Sequence, residues 1–179
     1  STQYTLYCDM DGVLVDFEKK FEEVSGGIST NQYRDEFGIK AFWKLINEGG
    51  IDFWADMDWM PDGKALFDYI KPNLYSLLSA PSFDDSSVKG KEKWVSNNTP
   101  GTKLILSPAK NKQDYSKKGA ILIDDRKDTI REWDSRGGIG ILHTSTKNTI
   151  QQLKIKNLLL LKRSAELGLK QIKSFGVNI

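Results

Sequence analysis

The chain has 179 residues, of which 39% are hydrophobic and 28% charged, and its net charge is +2. That length buries roughly 70% of the unfolded surface, enough for one domain with at most a small subdomain. The charge is too small to argue for nucleic acid, the single Cys8 excludes an internal disulfide, and one cysteine with one histidine (His143) cannot build a zinc site. No stretch reaches the ~18 apolar residues of a membrane span and no signal-peptide pattern opens the chain. A cytoplasmic location without a membrane partner is the expectation.

Residues 4–9 form an apolar run that reads as a buried strand and ends in two carboxylates, Asp9 and Asp11, followed by Gly12. Phe17, Phe21 and Val24 recur at helical spacing over residues 16–24, and Gly26-Gly27 stops that helix. Residues 30–60 are rich in aromatics and suggest short helices beginning near Thr30 and Ile39. Pro61 precedes a helix with Ala65, Leu66, Tyr69 and Ile70 on one face. Residues 74–78 form a second strand, closed by Ser79-Ala80-Pro81. Residues 82–91 look like a loop, with a helix following around Trp94. Residues 103–107 form a third strand. Residues 120–125 form a fourth, again apolar until two acids, Asp124 and Asp125. A helix over about 129–135 ends at Gly137-Gly138, residues 139–143 form a fifth strand, and 147–154 and 157–173 look helical. From Lys147 onward there are seven basic residues and one acid, which reads as a solvated helix face or as a surface for nucleic acid.

Strands alternating with helices, each strand a continuous apolar run, predict an α/β fold with a parallel sheet flanked by helices on both faces. Ligands of such sheets lie beyond the C-terminal strand ends. There the polar residues fall: Asp9 and Asp11 after the first strand, Ser79 after the second, Ser107 and Lys110 after the third, Asp124 and Asp125 after the fourth. Clustered carboxylates without His or Cys suit a hard cation held by oxygen, which points to Mg2+. A hydroxyl and an ammonium beside it suit phosphoryl oxygens. A carboxylate can be the nucleophile of phosphoryl transfer, and a second acid two residues on can move the proton.

Asp9-Met-Asp-Gly-Val, Ser79, a lysine after the third strand and Asp124-Asp125 resemble the four motifs of the haloacid dehalogenase (HAD) superfamily of phosphatases. Asp9 to Phe17 and Leu122 to Arg126 resemble more closely the 5'(3')-deoxyribonucleotidases within it, over about residues 4–145. The resemblance implies a Rossmann-like HAD core over 1–16 and 72–179, with a small helical cap over 17–71 inserted after the first strand. It implies Asp9 as nucleophile and magnesium ligand, Asp11 as general acid/base that binds the metal through its backbone carbonyl, and Ser79 on the phosphoryl group. Asp125 would be the acidic metal ligand of the fourth motif, with Asp124 beside it or bound to lysine. Lys110 fits the third motif better than the nearby Lys112. Phe17 and Trp43 match aromatic positions of the nucleotide pocket, and Trp54 is a further candidate, though such aromatics equally serve as the insertion's own core. Arg126 reaches either the substrate or only Asp128. Ala80 stands where the nucleotidases often place a second hydroxyl.

The expected function is a magnesium-dependent phosphatase that hydrolyses (deoxy)ribonucleoside monophosphates through an aspartyl-phosphate. The alternatives are a HAD phosphatase for another phosphomonoester, such as a sugar phosphate or a nucleic-acid 3'-phosphate, and a non-catalytic nucleotide- or nucleic-acid-binding module. The partner expected is a small-molecule nucleotide. Nucleic acid is a possible partner but not the favoured one, and a homodimer through the cap or tail is possible, although no residue pattern demands it.

Overall fold

The computed structural model describes residues 4–156. The helix expected over 157–173, and with it most of the basic stretch after Lys147, lies outside the described residues. Five parallel strands, β1 (Thr5–Cys8), β2 (Leu74–Ser79), β3 (Leu104–Leu106), β4 (Ala120–Asp124) and β5 (Ile139–Leu142), form one sheet in the order β3-β2-β1-β4-β5. The α/β class and parallel sheet expected from the strand pattern are what the chain adopts.

β1 lies at the centre, with β2 on one side and β4 on the other. The chain therefore reverses its direction of winding at β1, and the crevice beyond β1 and β4 is where this topology opens a ligand site. Side chains alternate across the sheet. Leu6 and Cys8 of β1, with Ile121 and Ile123 of β4, face the larger core, which they share with Phe21, Phe42, Ile46, Phe53, Leu66, Trp94 and Leu153. Tyr7 and Leu122 face the other side, against Ile130 and Trp133. Both faces are covered, so both sets of positions must be apolar. This is the physical source of the unbroken hydrophobic runs.

Five helices stand between β1 and β2: α1 (Phe17–Ser25), α2 (Thr30–Phe37), α3 (Ile39–Glu48), α4 (Gly50–Ala55) and α5 (Gly63–Ile70). Asp16 caps α1 by accepting from the Lys19 backbone N–H at 3.0 Å, and Ser29 caps α2 through Gln32 N–H at 3.2 Å. α6 (Asp85–Asn98) follows β2, α7 (Lys127–Ser135) follows β4 and α8 (Thr146–Lys156) follows β5.

Residues 85–91, loop-like in sequence, are instead the first half of α6. The Asp84 side chain accepts from Ser86 N–H at 3.0 Å and starts the helix there. Ser87, Lys91, Trp94 and Val95 then form its buried face. α6 packs closely on α4. A side chain at Gly90 would collide with the Trp54 Cβ and stand 2.7 Å from the Ile51 carbonyl, so only glycine permits this approach. Trp94 Nε1 donates to the Met57 carbonyl at 2.8 Å, a second tie between α6 and the segment after α4.

Candidate active site

β1 delivers Asp9, which is 5% exposed and whose backbone N–H donates to the Ile123 carbonyl of β4 at 2.9 Å. The chain then turns sharply. The Met10 carbonyl accepts from the N–H groups of Val13, Leu14 and Val15, and Gly12 takes φ +79°. That left-handed conformation favours glycine, and a side chain at residue 12 would strike the Asp125 carboxylate. The Asp-x-Asp-Gly pattern is thus a packing requirement: Gly12 gives Asp125 its place beside the first loop.

β4 delivers Asp124 and Asp125. Asp124 is fully buried. Its Oδ1 accepts from Arg126 N–H at 3.0 Å, its Oδ2 from Lys112 Nζ at 2.9 Å, and its carbonyl from His143 N–H at 2.8 Å. Carboxylate oxygens of Asp9, Asp124 and Asp125 lie within 4.8 Å of one another, the only such cluster able to hold a metal among the described residues.

The lysine beside Asp9 is Lys112, not Lys110. Lys112 is 3% exposed and its Nζ donates to Asp9 Oδ1 at 3.0 Å as well as to Asp124. Residues Ala109–Tyr115 form a 3-10 helix after Pro108. With three residues to a turn, positions two apart face different ways. Lys110 therefore points to solvent, contributing only its carbonyl, which accepts from Gln113 Nε2 at 2.7 Å.

The electrostatics follow from this crowding. Burial first, and then the charge of Asp124, raise the Asp9 carboxyl above its ordinary pKa against the pull of Lys112. Burial opposes the charge on Lys112, but Asp9 and Asp124 outweigh it and hold the ammonium well above the usual lysine range. Asp125 is pushed up to about 7 by the protein mass around its carboxyl group and then by the charges of Asp9 and Asp124, even though the residue has an exposed face. An acidic cluster that one lysine does not neutralise, with the Asp125 carboxylate at its open side, has the donor set of a site for a hard divalent cation. The residues present fit magnesium.

On the other side of Asp9 stand Asp11 and Ser79. Both accept from Lys91 Nζ, Asp11 Oδ2 at 2.7 Å and Ser79 Oγ at 2.8 Å. Lys91 is 2% exposed, although its stretch of sequence, 82–91, resembles a loop and marks no site residue. The spacing 87, 91, 94, 95 is a helical stripe, and a lysine within such a stripe must be buried with a partner. Ala80, just beyond β2, is half-buried and brings no hydroxyl.

Phe17 packs on Phe42, Phe53 and Trp54 at 6.4, 5.7 and 5.6 Å between ring centres, against the larger core that these residues share with the sheet. Trp54 also lies with its ring centre 5.1 Å from the Lys91 ammonium, next to the site. Trp43 is an exposed residue of α3 that touches Phe42 edge-on at 5.0 Å. Arg126 is exposed and pairs with Asp128 at 3.4 Å, so its charge is directed along α7 and not at the carboxylates.

Solved structures share this fold. No protein-family model matches the chain, and no curated protein matches it either. Among solved structures, a hydrolase from Streptococcus pneumoniae superposes with a TM-score of 0.53 at 17% identity, covering 86% of this chain and 100% of that one. A haloacid dehalogenase-like hydrolase from Burkholderia xenovorans gives 0.54 at 11% identity, over 88% and 89%. A magnesium-bound HAD hydrolase from Bacillus subtilis gives 0.50 at 12%, over 78% and 86%. The fold is that of the HAD-like hydrolases. In this fold the acids of β1 and β4 fall at the ends of adjacent central strands, and five helices separate β1 from β2 in the chain.

Proposed function

We propose that the protein is a magnesium-dependent phosphatase that hydrolyses nucleoside monophosphates. The observation that carries this reading is the Lys112 bridge between Asp9 and Asp124, set against Asp125 on one side and Asp11 on the other. Asp9 attacks phosphorus. With Oδ1 engaged by Lys112, Oδ2 is the oxygen that forms the new bond. The phosphorus–oxygen bond to the nucleoside breaks, and Asp11 donates the proton its oxygen requires. Water then attacks the aspartyl-phosphate, Asp11 takes back a proton, and the bond to Asp9 breaks to release phosphate. Lys112 orients Asp9 and offsets the negative charge that accumulates around it. Ser79 donates to a phosphoryl oxygen.

Asp9, Asp125 and the Asp11 backbone carbonyl would hold magnesium, with Asp124 fixed next to them by Lys112. Magnesium there supplies charge neutralisation for the carboxylates and the transferring phosphoryl group. The Bacillus subtilis relative in fold is magnesium-bound, which supports the same choice.

The nucleotide reading rests on the resemblance of Asp9–Phe17 and Leu122–Arg126 to the deoxyribonucleotidases, and on where those residues fall. Phe17, at the end of the first motif, meets Trp54 beside the site, and an aromatic face is suited to stacking on a base. In this reading the insertion between β1 and β2 is a cap that excludes water from the reaction.

The test is phosphate release from nucleoside 5'- and 3'-monophosphates, sugar phosphates and 3'-phosphorylated DNA, with and without magnesium. Magnesium-dependent release from the nucleotides is expected. Release from sugar phosphates alone removes the nucleotide substrate, and release from none removes the phosphatase.

A further inference from the structure

Lys91 is the buried charge for which the mechanism above has no task. Its ammonium lies between Asp11 and Ser79 and beside the Trp54 ring. A buried ammonium survives only where its partners compensate for the lost water, so this placement is specific. It is also rigid. Gly90, its neighbour, brings α6 against α4, and Trp94 anchors the same helix to the Met57 carbonyl. The α6 backbone that carries Lys91 is therefore held close to Asp11.

The consequence appears at Asp11. One oxygen, Oδ2, is held by Lys91. The other, Oδ1, is buried and has no hydrogen-bond partner. A buried acceptor without a partner is costly and calls for a ligand group. We propose that Lys91 is a positioning residue for Asp11: by fixing Oδ2 it aims Oδ1 at the oxygen of the departing group. This rests on the phosphatase reading above and adds to it a residue that acts through the general acid.

When the phosphorus–oxygen bond breaks, its electron pair stays on the leaving oxygen. An alkoxide of a nucleoside or sugar needs the proton from Asp11 at that moment. A p-nitrophenolate is stable enough to leave without it. Loss of Lys91 therefore has a signature that depends on the leaving group, which neither a packing defect nor a lost phosphate contact reproduces. Trp54 and Gly90 extend the same positioning to α4, which packs on the helix that carries Lys91.

The experiment compares kcat/KM of wild type, K91M and K91Q, in magnesium, for the best alkyl phosphomonoester and for p-nitrophenyl phosphate. This ratio reports the steps up to departure of the leaving group. With K91M the alkyl ester is expected to lose on the order of 100-fold in kcat/KM. The aryl ester is expected to lose several-fold at most, with KM near wild type for both. Adding K91M to D11N is expected to cost nothing further for the alkyl ester. K91Q is shorter and cannot span Asp11 and Ser79, so it carries the same expectation if K91M does not melt cooperatively. Equal losses for both esters with raised KM would make Lys91 a phosphoryl-binding group and overturn the proposal. Wild-type rates in both variants would leave it a packing residue and overturn the proposal alone. A wild-type protein inactive on every phosphomonoester would instead remove the phosphatase reading, and the proposal with it.

Discussion

The Lys112 ammonium stands 3.0 Å from Asp9 Oδ1 and 2.9 Å from Asp124 Oδ2, tying the end of β1 to the end of β4 across the crevice of the sheet. All three groups are nearly or fully buried. Removing the cation leaves two buried carboxylates facing each other. K112M is expected to destabilise the protein by about 3–5 kcal/mol and to remove turnover. K110A, at an exposed position, is expected to stay within about 0.5 kcal/mol of wild type with unchanged activity. Denaturant melts and phosphate-release assays on the two variants check this. The reverse outcome would return the third motif to Lys110.

Asp125 sets the pH dependence. Its native pKa of about 7 lies above the ordinary carboxylate value of about 3.9. Between those values the unfolded chain gives up the proton while the native protein keeps it, so this group's contribution to stability falls as pH rises. Without metal, D125N is expected to match wild type near pH 4 and to become the more stable of the two as pH rises through 7. Magnesium is expected to raise the wild-type melting temperature at pH 8 and to have little effect on it near pH 4.5. Melting curves of the two proteins across this range, with and without magnesium, measure both. A magnesium effect independent of pH would contradict the shared site.

Gly12 and Gly90 are close-approach positions with different consequences. At Gly12 a methyl group meets Asp125 and the backbone is left-handed, so G12A is expected to weaken the magnesium effect on melting and to reduce turnover. At Gly90 the methyl meets Trp54 and the Ile51 carbonyl. G90A is expected to cost about 1–3 kcal/mol by overpacking. It should also shift Lys91, and so lower activity on alkyl esters more than on p-nitrophenyl phosphate. Thermal melts and paired assays separate the two effects.

What the sequence reveals depends on how local the physics is. β1 and β4 are legible because burial on both faces requires every residue of Thr5–Cys8 and Ala120–Ile123 to be compact or apolar, and because the acids begin where the strands end. The first half of α6 is not legible, because Asp84-Asp-Ser-Ser is equally suited to a loop and to a helix cap. Only the later stripe of Lys91, Trp94 and Val95 marks the helix. The choice between Lys110 and Lys112 depends on the rotation of a 3-10 turn, which no periodicity announces. The partners of Arg126 depend on Asp128 two residues away, which the spacing does show.

The most direct measurement is the mass of the protein after acid quench with p-nitrophenyl phosphate and magnesium, using D11N so that hydrolysis of the intermediate is slowed. Asp9 as nucleophile requires one added phosphoryl group, located on the peptide containing Asp9 and absent when D9N is introduced as well. Release of phosphate by the wild type with that peptide unmodified in D11N, or wild-type turnover by D9N, would contradict it.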